Sequence, residues 1–590
     1  MCGITGYAGG GNAAEQVFEG LKRLEYRGYD SAGMAIVKPS GEVSVVKKQG
    51  KVDVLKPYVA DMRGAIGMGH TRWATHGKPS DINAHPHFAG GIYVVHNGII
   101  ENYAELRQQL QSAGETFISE TDSEVIAHLI KLNYGGNLLV ALRTTVKMLK
   151  GSYALMVIRE GEPQIAVAKR RSSLILGYGD GENFCASDRP ALAGKCKRVS
   201  ILEDGDFALI TAQKIEIFDE NLNPVNRPKI ENTLTSEKLD LHGCPHYMLK
   251  ELREVPQTVK NTYSSFAGIG EKLKEVFKGT KRVIFLGCGT AYHAGLIGKK
   301  YFEAFARVPA EAENAGEFRY KNPVITKGTV VFAVTQSGET ADTIEAVILA
   351  KSLGAKVIAV TNVIHSAISR HADIVVPVSA GAEICVAATK SYAGQIAALY
   401  LCALTFAGKD ASSNEYKQLD ALCTVLENTL KEINVYTLAH MCACSNGVYF
   451  LGRGFDYAVA LEGSLKLKEV SYIAGEGYPA GELKHGTLAL IDGNTVSVVL
   501  ITDEELASKS VSAVEQVLSR GGKVAVITCL PAVAKALKNK AEVISLPGCN
   551  KFLSPLVTAI AVQELAYRTA VILGRDPDKP RNLAKSVTVE

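Results

Sequence analysis

Val283-Ile284-Phe285-Leu286-Gly287-Cys288-Gly289 returns 165 residues later as Val448-Tyr449-Phe450-Leu451-Gly452-Arg453-Gly454. Each copy is an apolar, strand-forming run that ends on a glycine-flanked turn. A second pair, Gly354-Ala355-Lys356-Val357 and Gly521-Gly522-Lys523-Val524, recurs in the same order at an offset of 167. Two nearly equal offsets indicate a duplicated domain. Strand-like runs at Val283–Leu286, Val330–Val334, Val357–Val360 and Ile374–Val378 alternate with amphipathic helical runs. That alternation predicts α/β domains with parallel sheets covered by helices on both faces.

Upstream the style differs. The first 210 or so residues mix short β-branched runs (Ile92–Val95, Tyr153–Ile158, Ile165–Ala168) with glycine turns and two helical stretches near Asn12–Leu24 and Ser123–Leu132. This reads as an α+β domain whose sheets carry helices on their outer faces. We therefore divide the chain into an α+β domain over 1–225, a polar, proline-bearing linker over 226–246, α/β domains over 247–430 and 431–575, and a tail over 576–590. The tail has no helix or strand pattern, and as a bare terminus it should fray.

A chain of 590 residues needs several cores. With 47% hydrophobic and 21% charged residues and a net charge of +4, it has ordinary globular composition and no footprint for nucleic acid or a membrane surface. Twelve cysteines without paired spacing point to reduced thiols and a cytoplasmic setting. The N-terminus lacks the basic and apolar regions of a secretory signal. The longest apolar run, near Ile396–Ala407, is too short to span a bilayer and predicts a buried helix.

Cys2 is the first residue with chemistry to offer. Removal of Met1 would leave it terminal, with its own α-amine (pKa ~8) as base toward a thiol of pKa ~8.5. On its own it is equally a small buried cysteine. Its downstream company is His70-Thr71-Arg72-Trp73-Ala74-Thr75-His76-Gly77 and His96-Asn97-Gly98. The Asn97 amide and the Gly98 N–H suit an oxyanion, where one donor is worth about 3–4 kcal/mol. Arg72 suits a ligand carboxylate through a bidentate fork, and Asp122 an ammonium. His85, His87 and His96 lack a carboxylate partner at ligand spacing and read as structural, with no metal.

Met1-Cys2-Gly3-Ile4, Leu24–Gly33, Arg72–Gly77, His96–Gly98 and Ser119-Glu120-Thr121-Asp122 resemble the glutaminase domain of the glutamine–fructose-6-phosphate aminotransferases, an N-terminal-nucleophile (Ntn) amidotransferase fold. The resemblance implies Cys2 as nucleophile, Asn97 and Gly98 as oxyanion hole, and Arg72, Thr75, His76 and Asp122 as glutamine ligands. It also implies that Trp73, the only tryptophan and otherwise readable as core, gates an ammonia channel.

In the C-terminal half, Thr335-Gln336-Ser337-Gly338-Glu339-Thr340 lies between the strand Val330–Val334 and a helical run over Asp342–Leu353. Hydroxyls and free N–H groups at such a turn cradle a phosphate. Gly287-Cys288-Gly289-Thr290 also follows a strand but lacks a dinucleotide fingerprint. Glu462, Lys466 and Glu469 share one face of a mostly apolar helix near Ala458–Ser471, which predicts a polar cavity suited to moving a proton between sugar carbons. His485 sits in the glycine-flanked Gly481–Gly486 loop and suits sugar-ring opening. A desolvated lysine of the tail, Lys585, suits a Schiff base.

These segments resemble the duplicated sugar-isomerase (SIS) domains of the same family, so the likeness runs end to end. It implies that Glu469 shuttles the proton, His485 assists ring opening and Lys585 engages the open-chain sugar. It places Cys288, Gly289, Thr290, Thr335, Gln336, Ser337, Thr340, Val386 and Ala584 around the sugar phosphate, with Glu462 and Lys466 lining the cavity. The histidine loop would come from a partner subunit, making a homodimer. Thr335, Ala291 and Ala388 stand where the family has serine. The two alanines each lose a hydroxyl worth about 1.5–3 kcal/mol to a charged group, so sugar-phosphate affinity is expected to be lower. The implied reaction converts L-glutamine and D-fructose 6-phosphate to L-glutamate and D-glucosamine 6-phosphate without a cofactor. A phosphoribosyl or adenylating acceptor domain, as on other Ntn amidotransferases, fits the duplicated half poorly. A sugar-phosphate sensor without catalysis is hard to square with Cys2, Glu469, His485 and Lys585 together.

Overall fold

A computed structural model describes residues 2–588. Met1, Val589 and Glu590, the first and last residues of the sequence-based divisions, lie outside the described residues. The chain forms two compact units, Met1–Asp240 with Ala584–Glu590, and Leu241–Leu583.

In the first unit an eight-stranded sheet faces a six-stranded one. The eight-stranded sheet has Gly3–Gly9 near its middle, between Glu182–Ala186 and Ile66–Arg72, antiparallel to both. Ile92–Ile100 of the second sheet pairs antiparallel with His87–Ala89 and Gly151–Arg159. Alternation along the strands drives the layering. Ile4, Ala8, Met68, Val95, Met156 and Val167 meet in a core between the two sheets. The other face of Ile92–Ile100 and its neighbours is covered by the helices Glu124–Asn133 and Leu138–Val146. The helix Ala13–Leu24 packs on the eight-stranded sheet. Asn12 caps that helix by accepting the Ala14 N–H, a contact worth about 1 kcal/mol. The expected α+β sandwich with outer helices is present.

The stretch expected as a linker is partly built into this unit. Ile230–Glu231 pairs with Arg198–Ile201 as the edge strand of the larger sheet. Arg227 forks onto Asp206 at 2.8 and 2.7 Å. Short polar segments hide this behaviour, because a two-residue edge strand has no period to read.

The second unit holds two five-stranded parallel sheets. Their orders are Ala310–Asn314, Arg282–Gly287, Thr329–Thr335, Lys356–Thr361, Ile374–Pro377, and then Gly475–Pro479, Gly447–Gly452, Thr495–Ile501, Lys523–Thr528, Glu542–Ser545. The orders correspond position by position, as duplication requires. The correspondence reaches backbone angles: Gly289, which opens the helix Thr290–Tyr301, has φ 54 and ψ −126, and Gly454, which opens Phe455–Ser471, has φ 58 and ψ −125. One continuous core joins the inner faces of both sheets. Within it Phe285 stacks on Phe332 at 5.0 Å and Phe302 meets the two edge-on at 5.5 and 5.1 Å, each ring contributing about 1.5–3 kcal/mol by burial. Lys390–Phe406, the apolar run, is buried along nearly its whole length between the repeats. No described helix is long and apolar enough to cross a membrane.

The tail has neither helix nor strand, but its start is pinned rather than frayed. Both oxygens of Asp578 accept N–H groups from Tyr247 and Met248, 2.7 Å each, at the start of the helix Tyr247–Arg253.

Candidate active site

The first cluster forms where the paired strands Gly3–Gly9 and Ile66–Arg72 of the larger sheet face Ile92–Ile100 of the smaller one. Thr71 Oγ1 accepts the Gly3 N–H at 3.1 Å and Ser187 Oγ accepts the Ile4 N–H at 3.0 Å. These contacts hold the strand that presents Cys2. The Cys2 sulfur accepts the Trp73 N–H at 3.4 Å and lies 3.7 Å from the Trp73 carbonyl. Burial pushes the Cys2 thiol above its ordinary pKa. It is therefore a thiol at neutral pH and needs a base to react.

Asn97 Nδ2 donates to the Cys2 carbonyl at 2.9 Å, so the amide expected at the oxyanion holds the backbone of Cys2 itself. Arg27 donates to the same carbonyl at 3.3 Å and is itself held by Asp188 at 2.6 Å. Arg27 and Asp188 were not singled out from sequence; only folding joins residues this far apart. Gly98 adopts φ 137, and a Cβ there would lie 2.0 Å from the Ser152 carbonyl oxygen. Only glycine fits this turn of the strand.

The Arg72 guanidinium is buried and already engaged. It donates to the carbonyls of His76, Gly77 (3.0 Å) and Lys78 (3.5 Å), and so shapes the loop that carries Thr75 and His76. Asp30 holds the same loop by accepting the Ala74 N–H at 2.8 Å. Trp73 is half-buried, Thr75 is exposed, and the His76 ring meets Tyr103 edge-on. Asp122 accepts the Ile100 N–H at 2.8 Å.

Behind this cluster lie four buried histidines. His70 stacks on His85, centroids 4.0 Å apart, and His85 meets His87 edge-on at 4.4 Å. His70 Nε2 donates to the His96 carbonyl at 2.9 Å, His96 Nδ1 pairs with Ser123 Oγ at 2.8 Å, and His87 Nε2 with Thr121 Oγ1 at 3.0 Å. Their partners are hydroxyls and backbone. Burial lowers the pKa of all four, His70 to about 3. The unfolded chain takes up these protons near pH 6.5 while the folded unit refuses them. Stability is thus full above pH 6.5 and falls as pH drops, for His70 down to about 3. His128 has the opposite sign: burial lowers it, but Glu124 and Glu115 outweigh burial and raise it. Denaturant unfolding of the first unit at pH 7.5 and 5.5 should show a loss of up to about 1.4 kcal/mol per pH unit for each net histidine; equal stability at both values would contradict neutral burial.

The second cluster lies in the Leu241–Leu583 unit. The helices Thr290–Tyr301 and Phe455–Ser471, equivalent in the two repeats, pack together and bring Glu462 to the first repeat. Glu462 is fully buried. It accepts Thr290 Oγ1 at 3.0 Å and pairs with His293 Nδ1 at 2.7 Å. Lys466, also buried, lies 3.6 Å from Glu462 and 2.5 Å from the partly exposed Glu469. Burial lowers the Lys466 pKa, but Glu469 and Glu462 outweigh it and hold the ammonium charged. The expected stripe is thus a graded ladder. Glu462 is locked inside and Glu469 is partly exposed. Thr290, expected at the phosphate, gives its hydroxyl to Glu462, and His293 was not foreseen.

The Thr335–Thr340 loop follows the strand Thr329–Thr335 as expected. Thr335 Oγ1 accepts the Gly338 N–H at 3.2 Å and Ser337 Oγ the Glu339 N–H at 3.1 Å. The Gln336 carbonyl accepts the Asn362 N–H at 3.2 Å, which ties the loop to the next strand's end. Thr340 opens the helix Ala341–Ser352 without a side-chain cap, so that helix end keeps N–H groups for an anion. Cys288 lies beside it, its sulfur 3.8 Å from Thr343 Oγ1, with Gly289 exposed next to it. Gly338 has φ 68, and a Cβ there would lie 1.9 Å from Ser366 Oγ. Gly338→Ala should therefore distort the loop and weaken binding of a phosphorylated ligand about tenfold or more, as read by equilibrium dialysis. Undiminished binding would remove this loop from the candidate phosphate site.

The Val386 N–H is taken by the Asp578 carbonyl at 3.1 Å. His485 ends an exposed turn over Glu482–His485. Ala584 and Lys585 group with the first unit. No group of three metal-ligating side chains occurs among the described residues.

The glutamine amidotransferase domain family matches residues 70–193, and the SIS domain family matches residues 277–405 and 441–573. Glutamine–fructose-6-phosphate aminotransferases (isomerising) from Clostridium tetani and from Thermus thermophilus are 45% and 44% identical to the chain, with all of each chain covered. The chain belongs to the glutamine–fructose-6-phosphate aminotransferase family. The C-terminal domain of a glucosamine–fructose-6-phosphate aminotransferase from Francisella tularensis superposes with a TM-score of 0.53 and 36% identity, covering 58% of this chain and 99% of that one. The aminotransferase architecture thus accounts for both clusters: a glutaminase fold around Cys2, and two SIS repeats around Glu469 and the Thr335–Thr340 loop.

Proposed function

We infer that this aminotransferase converts L-glutamine and D-fructose 6-phosphate to L-glutamate and D-glucosamine 6-phosphate, the entry into hexosamine synthesis. One observation carries the reading. A single chain, matched end to end by these relatives, joins Cys2, whose carbonyl is held by Asn97, to a duplicated SIS fold.

Loss of Met1 would free the Cys2 amine to take the thiol proton, and the thiolate would attack the glutamine amide. The tetrahedral adduct expels ammonia, whose leaving nitrogen takes the proton held by the amine, and the thioester so formed is hydrolysed to glutamate and the free thiol. Gly98, with Asn97, would bind the oxyanion; the Asn97 amide would have to share its present bond to the Cys2 carbonyl. Arg72 would act on glutamine mainly by shaping the 73–78 loop over it, with Asp122 for the ammonium. Ammonia would pass within the protein, past Trp73, to the sugar.

In the second unit the Thr335–Thr340 loop and the Cys288 turn would hold the phosphate. Glu469, paired with Lys466 at 2.5 Å, would move the proton between C1 and C2. Lys585 would engage the open-chain sugar. The exposure of His485 on its own subunit agrees with a residue completed by a partner, so we propose a homodimer, working in the cytoplasm. The test is to incubate the purified protein with both substrates and identify the product by mass. Glucosamine 6-phosphate with equimolar glutamate is expected; glutamate and free ammonia alone would refute the coupling.

A further inference from the structure

In an open parallel sheet, ligands bind at the carboxyl ends of the strands where the strand order reverses. In the first repeat that point lies between Arg282–Gly287 and Thr329–Thr335, flanked by the Cys288 turn and the Thr335–Thr340 loop. In the second repeat it lies between Gly447–Gly452 and Thr495–Ile501. The turn there carries Arg453 in place of Cys288.

That point opens into a cavity of about 280 Å³ lined by Arg453, Lys484, Lys509, Ser508, Ser512 and Gln516, with Ala480 and Gly481. Three lining residues are cations and none is an acid. The Nε of Arg453 is buried with no hydrogen-bond partner among the described residues. Gly481 makes room for the guanidinium: a Cβ there would lie 3.1 Å from its Nη1. Gln516 Nε2 already orients the Ser512 hydroxyl at 3.2 Å.

The helix end itself is closed to an anion. Asp503 caps Glu504–Leu518 by accepting the Glu505 N–H at 3.0 Å, and Glu504 and Glu505 fill the first turn. An anion must therefore sit further along, over Ser508, Lys509 and Ser512, where charge-assisted bonds from Arg453 and the lysines converge. The volume is at or below the roughly 300–1,000 Å³ of pockets that enclose drug-sized ligands. It suits a phosphoryl group on a small body and is too small for a nucleotide.

We propose that the switch point of the second repeat is a separate binding site for a small phosphate monoester, held by Arg453, Lys484 and Lys509. Because Lys484 precedes His485, an occupied site would also steady the exposed Gly481–Gly486 turn.

Equilibrium dialysis of the full-length protein with glucosamine 6-phosphate tests this. Two molecules per chain are expected. Arg453→Gln, and independently the surface variant Lys509→Gln, should weaken one binding event at least tenfold and spare the other. Ser337→Ala with Thr340→Val should remove the other event alone. A single molecule per chain, lost with the Ser337 and Thr340 substitutions and indifferent to Arg453→Gln and Lys509→Gln, would overturn the proposal while leaving the proposed function intact. Two molecules that both persist in the Ser337 and Thr340 variant would count against the proposed function's phosphate loop instead. Competition by inorganic phosphate separates the sources. Displacement from the Arg453 site at equal concentration makes the free anion its occupant; resistance to it assigns the site to the sugar phosphate.

Discussion

Cys2→Ala should abolish glutamine-dependent formation of glucosamine 6-phosphate, by about 10⁴-fold or more, the scale on which removing a covalent nucleophile acts. The fold around it should survive. The strand is held through the backbone, by Thr71 on Gly3 and Ser187 on Ile4, and the Cys2 carbonyl keeps its bonds from Asn97 and Arg27. Only the sulfur contacts with Trp73 are lost. Interconversion of fructose 6-phosphate and glucose 6-phosphate, which needs no ammonia, should stay within about threefold and serves as the control. Retained synthesis from glutamine would show that another group attacks the amide. A matching loss of the isomerisation would instead report a folding defect.

The second large effect is expected at Lys466. Its ammonium stands between the carboxylates of Glu462, fully buried, and Glu469. Lys466→Met fills much the same volume but leaves two carboxylates facing each other across an apolar helix surface. Breaking a buried pair by removing one partner costs about 3–5 kcal/mol. Thermal unfolding of the second unit should shift down accordingly, and isomerisation should fall at least a hundredfold while glutamine hydrolysis persists. Glu462 keeps its bonds to Thr290 and His293, so adding Glu462→Gln, which removes one of the two facing charges, should restore part of the stability but not the activity. If Lys466→Met left stability unchanged, the ladder would be a solvated surface feature. If it left isomerisation unchanged, Glu469 would not depend on its neighbour.

Much of this protein can be read along the chain. Strands and helices of the second unit show as alternating periodicities, because each element's pattern is local. The duplication shows because both copies keep the glycine turn after the first strand. The proposed nucleophile, Cys2, shows through its position and the Arg72–Gly77 and His96–Gly98 stretches. The buried Lys390–Phe406 helix shows through unbroken apolarity.

Other features have no local signature. The edge strand Ile230–Glu231 is too short for a period, and the anchoring of the tail depends on Asp578 meeting a helix start 330 residues away. Arg27 reads as one more charged residue until Asp188, 161 residues on, is beside it. Glu462, Lys466 and Glu469 share a helix face on spacing alone, which is equally the spacing of a solvated ion-pair ladder. What separates the two is the packing of that helix against Thr290–Tyr301 of the other repeat, which buries Glu462 and Lys466 and joins Glu462 to Thr290 and His293. Sequence by itself determined the elements, their repetition and the reactive groups on offer, since these follow from short-range pattern and residue chemistry. Tertiary structure alone decided which groups are engaged and which remain open to substrate, because burial and hydrogen-bond partnership are properties of residues brought together from far along the chain.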